Sequence, residues 1–504
     1  MDNNSIEQRH RFGEGGRQTS IANLVLTLPT VVVVYGIGLL YLRRAAPPAG
    51  HPRREVRGSL SIDTPASQRA AAPSAARSGL RLDLILMLAL FALAIVPRAA
   101  WVAYNDRAPQ GSNDPTLYAL FADTIADGHG YVRPTGEKSA YYPVGYPATV
   151  AGLKKAGDIF GWDRSIFSIK MMNGMFGALT VLLVYLLASR IFDRRTGLAA
   201  GALLAIFPSQ IYYTGTVLSE PLFTLMWIGA LTVLFWKPWS RDGMPWYQLL
   251  GAGLLLSYAT MTRGITLMFP LVLLGVWLVH LRSKKRALVQ TLIVCAGIAV
   301  LVVPWSIRNT LAFGQITGPS TNVGDDLCIG NYLGAQGGLT LQGKCFANDA
   351  GKSPQQVELD HNNGGVKIAI RDVASHPFRM PKLVAQKAFW LLFKDDDGIS
   401  AAESYGNDYF IPNFRREVLA FAANAVYYAT GLVVLTGVLA FALAKDLRRL
   451  VVVLAFLYVL AIPLVFFGDP RFHYPAIPLA VVIAAATIVR LWDRRGSSTP
   501  AAGV

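Results

Sequence analysis

Three cysteines in 504 residues are too few for a disulfide framework or a Cys-rich metal centre. Cys295 falls inside an apolar run and reads as core. Cys328 and Cys345 fall in one loop, where a disulfide and two free thiols are both open and an oxidising compartment favours the disulfide. No His-Glu-x-x-His, no Cys-x-x-Cys and no phosphate-cradling Gly-rich loop occurs, which argues against zinc peptidases and nucleotide hydrolases. No internal repeat is evident, which weakens a transporter built from duplicated halves. Charge is scarce as well: 15% of residues are charged against 53% hydrophobic, and the mean hydropathy is positive. That is too apolar for a soluble globular chain and fits an all-α polytopic membrane protein.

The charge that is present is lopsided, at a formal +16. Arg and Lys lie in short clusters between apolar runs, so the excess marks topology and not a nucleic-acid surface. A spanning helix needs roughly 20 apolar residues. Stretches near that length occur at 21–42, 83–104, 166–190, 197–214, 219–236, 247–262, 265–282, 287–305, 416–443, 450–467 and 474–491. Counted consecutively, these spans put every basic cluster, from Arg43-Arg44 to Arg494-Arg495, on one side, which the positive-inside rule makes cytoplasmic. The expected division is a tail and anchor helix at 1–42, a disordered basic linker at 43–82, a helical core of about ten spans at 83–492 and a cytoplasmic tail at 493–504. Two extracytoplasmic segments, 105–165 and 306–415, are large enough to hold structure. In the second, Arg379, Lys382 and Lys387 flank Phe378, Leu383, Phe389, Trp390 and Leu391. That pattern suits either a helix lying on the membrane surface or an amphipathic helix packed on the rest of the segment.

Charged groups near a bilayer are costly unless they pair or face water, so those at span ends invite a functional reading. On the outer side the apolar runs stop at Asp114, at Ser219-Glu220-Pro221, at Thr262-Arg263-Gly264, at Arg308-Asn309 and at Asp469-Pro470-Arg471-Phe472-His473. Lys138 and the aromatic run Tyr141-Tyr142-Pro143-Val144-Gly145-Tyr146-Pro147 share a loop with Asp114. Such a rim matches a sugar carried on a polyprenyl phosphate. The lipid tail enters between helices, Arg and Lys stabilise charge on the departing phosphate, a carboxylate takes the acceptor's proton, and aromatic faces hold the sugar. Plainer readings stand beside each. Asp114 before Pro115 also suits an N-cap, Glu220-Pro221 a helix start, Arg263 a lipid-headgroup anchor or C-cap, Asp469 and Arg471 a mutual pair, and His473 a structural position.

The motifs resemble the GT-C superfamily of polyprenyl-phosphate-sugar-dependent glycosyltransferases, in the branch with protein O-mannosyltransferases and the lipid A aminoarabinose transferase. The likeness runs over about residues 83–492. It rests on Asp114-Pro-Thr-Leu-Tyr118 with Ala-Asp-Gly-His-Gly-Tyr131, on Tyr142-Pro-Val-Gly-Tyr-Pro147 and on Leu218-Ser-Glu-Pro-Leu222. Further along it rests on Arg308-Asn, Ser320-Thr-Asn and Gly330-Asn331, and on Asp469-Pro-Arg-Phe-His-Tyr-Pro475. The resemblance implies a GT-C-like bundle with Asp114 as base and Glu220 as second acid. It makes Lys138, Arg263, Arg308 and Arg471 candidates for the lipid phosphate, with Lys138 and Arg263 foremost. Tyr118, Tyr142, Asp469 and His473 complete the expected substrate-binding set. It implies a polyprenyl-phosphate-sugar donor, a lipid, glycan or protein acceptor and a bacterial inner membrane with the site facing outward; a divalent metal near the acidic pair is left open. Family members usually carry an acid directly after the first Asp, whereas Pro115 stands here, which leaves sugar and acceptor undetermined. A flippase of lipid-linked glycan and a non-catalytic assembly partner with the same shape are the rival readings.

Overall fold

The computed structural model describes residues 72–161, 165–340, 345, 349, 351–442 and 446–496. The anchor expected at 21–42, the linker up to residue 71 and the tail from residue 497 lie outside them. The chain divides into a unit Met1–Ala92 and a unit Leu93–Val504. Of the first, the described part is the N-terminal stretch of helix α1 (Ala72–Tyr104). Everything that follows belongs to the second.

Among the described residues the chain is helical throughout, with isolated bridges in place of strands. Six helices are long and apolar enough to cross a membrane: Leu82–Tyr104, Ile166–Ile191, Lys284–Phe313, Asn413–Phe441, Leu447–Val465 and Pro470–Arg494. An apolar run of this length satisfies its own backbone groups only as a helix, which is why hydropathy finds it. The other four expected core spans are helical but shorter. Residues 197–214 divide into Arg194–Ala205 and Pro208–Tyr212, because Pro208 has no N–H to continue the ladder. Residues 219–236 form Glu220–Leu234, residues 247–262 form Trp246–Thr262, and residues 265–282 form Gly264–His280 with a 3-10 first turn.

In chain order the helices after α1 are α2 (Asp114–Ala126), α3 (Gly145–Phe160), α4 (Ile166–Ile191), α5 (Arg194–Ala205), α6 (Pro208–Tyr212), α7 (Glu220–Leu234), α8 (Trp246–Thr262) and α9 (Phe269–His280). Then come α10 (Lys284–Phe313), α11 (Val323–Asn331), α12 (Pro354–Ser375), α13 (Met380–Leu392), α14 (Asp397–Ala402), α15 (Asn413–Ala442), α16 (Leu447–Val465) and α17 (Ile477–Gly496). The last span, Pro470–Arg494, is the most enclosed of the six and Asn413–Phe441 the least, so the chain's final helix is central and α15 peripheral. Buried Arg98 on α1 donates to Ala205 O at 2.8 Å, closing the C-terminal end of α5. Lys170 on α4 donates to Asn105 O and Arg107 O at 2.6 and 2.8 Å, fixing where the chain leaves α1.

The segment 105–165 folds as α2 and α3, and 306–415 supplies α11 to α14. One buried carboxylate ties the two together. Glu358 on α12 accepts from Ser139 Oγ (2.8 Å), Ala140 N (2.7 Å), Thr321 Oγ1 (2.6 Å) and Arg133 (3.0 Å). A buried acid is stable only when so surrounded. Cys328 and Cys345 form a disulfide. Cys295 is a correction: it is exposed, on the same open apolar face of α10 as Leu288 and Leu292, and not in the core. On α13 Lys382 stays exposed while Lys387 turns inward. Lys387 is buried against Asn331 Oδ1 (2.8 Å), and Arg379, just before the helix, donates to Tyr332 O and Ala335 O. The packed amphipathic helix is therefore the arrangement found.

Candidate active site

Helix α2 begins at Asp114, but its N-cap is Asn113, whose Oδ1 accepts from Thr116 N (3.4 Å) and Thr116 Oγ1 (3.2 Å). The capping role open to Asp114 is thus taken by its neighbour. Its carboxylate is left to other partners: Oδ1 accepts from the Tyr142 hydroxyl at 2.6 Å and Oδ2 from Arg471 Nη1 at 2.5 Å. Enclosure works to raise the Asp114 pKa, but the Arg471 charge, the Tyr142 and Arg471 hydrogen bonds and the Arg263 charge outweigh it and hold it below the ordinary carboxylate value.

Glu220 opens α7 and is fully buried. Its Oε1 receives Arg263 Nη1 at 2.5 Å and also Arg471 Nε. Its Oε2 is buried without a hydrogen-bond partner among the described residues. Arg263 is the C-cap residue of α8, placed beside the aromatic loop because Gly145 lets that loop approach: a Cβ on Gly145 would stand 2.6 Å from Met261 O. Arg471 lies in the 3-10 turn Pro470–Ala476 that leads into α17. Asp469 accepts only its backbone N (2.9 Å), which frees the guanidinium to bridge Glu220 and Asp114. The plainer alternative of a mutual Asp469–Arg471 side-chain pair is therefore not the arrangement found; a turn cap stands in its place. Burial, with Asp397 adding to it, pushes Asp469 up to about 6.

The aromatic wall is continuous with this cluster. Tyr118 and Tyr142 rings are 4.5 Å apart between centroids, and the Tyr118 hydroxyl is 3.3 Å from Ser219 Oγ. Asp114, Tyr118, Tyr142, Glu220, Arg263 and Arg471 thus come together from α2, the aromatic loop, α7, the end of α8 and the turn before α17. The remaining expected residues do other work. Arg308 uses its guanidinium on Ser139 O (2.7 Å) and Tyr131 O (2.8 Å), stapling the loop behind the wall. Lys138 is exposed, paired through its backbone with Val132, and has no contact placing it in the cluster. His473 is buried between Leu391 O (2.7 Å) and Asp395 Oδ1 (2.8 Å) and stacks on Tyr427. Its structural reading is the one the contacts favour.

A metal at the acidic pair does not fit the residues present. The Arg471 guanidinium already joins Asp114 to Glu220, and among the described residues no group of three His, Cys, Asp or Glu side chains is arranged as a ligand set.

Two residues at this site had no motif. Asp326, in the first turn of α11, interacts electrostatically with Asp114, Arg263 and Arg471. Its placement follows from the backbone bonds Thr321 N to Ala140 O (2.9 Å) and Asn322 N to Tyr141 O (3.2 Å), which dock α11 on the aromatic loop. Burial first, then Asp325 and Asp114, push Asp326 up to about 7. It stands between two motif pieces, Ser320-Thr-Asn and Gly330-Asn331, which could have pointed to it. Tyr405 packs against the same aromatic cluster, from a turn where Ser404 and Tyr405 both have φ of 53°. A left-handed conformation costs a non-glycine residue roughly 1–2 kcal/mol. Here it is held by Asn113 Nδ2 to Ser404 O (3.0 Å), Gln110 N to Ser404 Oγ (3.0 Å) and buried Glu403, which accepts from Ile411 N (2.9 Å) and Arg416 (2.7 and 2.9 Å).

Residues 156–307 match the family model described as dolichyl-phosphate-mannose-protein mannosyltransferase. No curated protein sequence matches the chain. Among solved structures, the oligosaccharyltransferase AglB from Archaeoglobus fulgidus, in complex with an inhibitory peptide and a dolichol-phosphate, is 15% identical over 83% of this chain and 52% of its own, with a TM-score of 0.47. ArnT from Cupriavidus metallidurans, bound to undecaprenyl phosphate, is 14% identical over 85% of this chain and 79% of its own, with a TM-score of 0.38. The chain spans about half the length of the archaeal chains it matches. The family match bears out the resemblance to the GT-C superfamily of membrane glycosyltransferases read from the motifs, which fall within residues 156–307 only at Leu218-Ser-Glu-Pro-Leu222.

Proposed function

We propose that this GT-C-type chain transfers a sugar from a polyprenyl-phosphate donor to a hydroxyl of a lipid, glycan or protein acceptor at the extracytoplasmic face of a bacterial inner membrane. The observation that carries the reading is the Arg471 bridge from Glu220 to Asp114, with Arg263 on the same glutamate and an aromatic wall beside it. The reacting unit extends over residues 83–492, with the segments 105–165 and 306–415 contributing Asp114, the aromatic loop and Asp326 to the site. The acceptor oxygen attacks the anomeric carbon as the bond to the phosphate oxygen breaks. Its proton passes to Asp114, and the electron pair leaves on the polyprenyl phosphate. Attack opposite the leaving group inverts the anomeric centre. Each Asp114 oxygen keeps a second lone pair beyond its bond to Tyr142 or Arg471, so the carboxylate can still receive the proton. Arg471 and Arg263 face the developing phosphate charge, the kind of preorganised electrostatics that contributes most to catalysis.

The decisive experiment compares envelope lipids, glycans and glycoproteins by mass spectrometry in cells with and without the gene. One missing sugar on one acceptor class is the expected result, and an unchanged envelope removes the reading. A flippase would instead move labelled lipid-linked glycan across vesicles with no transfer.

The acid on α11 supplies a pH test. Asp326 is mostly protonated at about pH 6 and mostly charged at about pH 8, since its pKa is pushed up to about 7. Ionisation adds a negative charge beside Asp114, so binding of undecaprenyl phosphate weakens as pH rises. The lipid phosphate itself ionises near pH 6. The measurement is therefore the difference between the protein and its Asp326→Asn variant, whose affinity falls less steeply over the same range; parallel profiles would remove Asp326 from the binding field.

A further inference from the structure

The hydroxyl of Tyr405 is buried and has no hydrogen-bond partner among the described residues. A buried donor without a partner is rare in a native fold and asks for an explanation. The backbone beneath it is left-handed at two successive non-glycine residues, and Glu403, Asn113, Gln110 and Arg416 bonds over-determine that turn. Strain of this kind persists where the surrounding structure holds it and collects at functional sites. The same turn also secures the approach to the base. Asn113, which donates to Ser404 O, is the cap residue immediately before Asp114, and Arg107 pairs with Asp408 at 2.6 Å.

What the turn presents to the cluster is one aromatic ring and one free hydroxyl. The ring packs against the buried cluster that includes Tyr118, Tyr142, Tyr213 and Tyr474. The hydroxyl lies within electrostatic range of Arg471, Asp397, Glu220 and Asp114. Asp114, Glu220, Arg263 and Arg471 sum to zero charge, and the Arg471 guanidinium is engaged by both acids. An anion entering this neutral cluster needs a donor not yet committed.

We propose that Tyr405 is a substrate-contacting residue, its hydroxyl donating a hydrogen bond to an anionic oxygen of the polyprenyl phosphate. The inference rests on the glycosyltransferase reading above and adds a donor from a segment no motif covers. Burial, reinforced by Asp397, Glu220 and Asp114 against the opposing pull of Arg471, keeps the phenol well above its usual range. It is therefore a proton donor throughout the physiological range, and an incoming phosphate oxygen satisfies it without displacing a protein bond.

The test uses the full-length protein in nanodiscs, with undecaprenyl phosphate, uncharged undecaprenol and inorganic phosphate as probes. The wild type binds the lipid phosphate more tightly than the alcohol, and inorganic phosphate alone competes poorly. Tyr405→Phe keeps the ring and removes only the hydroxyl, so the ligand-free thermal midpoint is unchanged or higher. The preference for phosphate over alcohol falls about 10-fold, the worth of one hydrogen bond to a charged group, while affinity for undecaprenol stays the same. A lowered ligand-free midpoint would show that the hydroxyl serves the fold, and an intact preference in Tyr405→Phe would show that it does not touch phosphate; either overturns the inference and leaves the glycosyltransferase reading standing. A wild type indifferent to the phosphate strikes that reading itself, and the Tyr405 contact falls with it. Equal competition by inorganic phosphate would exclude a lipid-linked ligand as what Tyr405 recognises.

Discussion

Asp114→Asn lowers sugar transfer by about 10²–10⁴-fold, the usual contribution of a positioned general base, and leaves the protein folded in the membrane. The expectation follows from how the carboxylate is held. Asn113 does the capping, so α2 keeps its N-terminal bond when residue 114 changes. Glu220 still holds both arginines. What disappears is the charge that accepts the proton, since an amide oxygen in the same place can accept a hydrogen bond from Tyr142 but cannot act as a base at neutral pH. The sign of the pH dependence is set by the depressed pKa. Asp114 is charged above the ordinary carboxylate range, and both the base and its contribution to stability are lost only as pH falls below that range through the folded value. Transfer by the wild type therefore holds through mildly acidic pH and fails below it. Full transfer by Asp114→Asn, assayed with the donor and acceptor that the envelope comparison identifies, would remove Asp114 from the chemistry.

How far the sequence reaches can be judged residue by residue. The ten core stretches are helical because the physics that selects them, backbone satisfaction along an apolar run, acts locally; 166–190 is found as Ile166–Ile191. Pro208 was a visible break in the stretch 197–214, where apolar composition alone suggested one helix. The acids and arginines at span ends were visible as types, but their partners were not. Arg471 stands two residues from Asp469, the neighbour that proximity suggests, yet it reaches Asp114 and Glu220, which are distant in sequence. Only helix packing decides that. Arg308 and Lys138 show the same limit in reverse. Both had the chemistry for a phosphate; one is used on loop carbonyls and the other stays exposed. Tyr405 carried no signal beyond a neighbouring Gly406, because a left-handed tyrosine is a property of the turn's tertiary bonds and not of its composition.

Arg471→Ala has the largest expected effect on the fold as well as on activity. The guanidinium is nearly buried and joins a fully buried glutamate to a half-buried aspartate. Removing one partner of a buried ion pair costs about 3–5 kcal/mol, because the charge left behind has already given up its water. Arg263 still neutralises Glu220, which places the loss toward the lower end, while Asp114 keeps Tyr142 and some access to solvent. In the proposed reaction transfer falls with it, since one of the two cations assigned to the departing phosphate is gone. Arg471→Lys does not restore the cluster: a single ammonium cannot offer the two directed donors with which the guanidinium spans both acids. The arrangement also predicts non-additivity. In Asp114→Asn/Arg471→Ala the aspartate charge no longer stands without its partner, so the double variant is less destabilised than the sum of the single ones, by about 0.5–3 kcal/mol as contacting residues usually couple. Thermal midpoints of the four proteins in one detergent measure this. Strict additivity would mean that Arg471 and Asp114 do not share a cluster in the folded protein, and a base held in place by that arginine would then have no physical support.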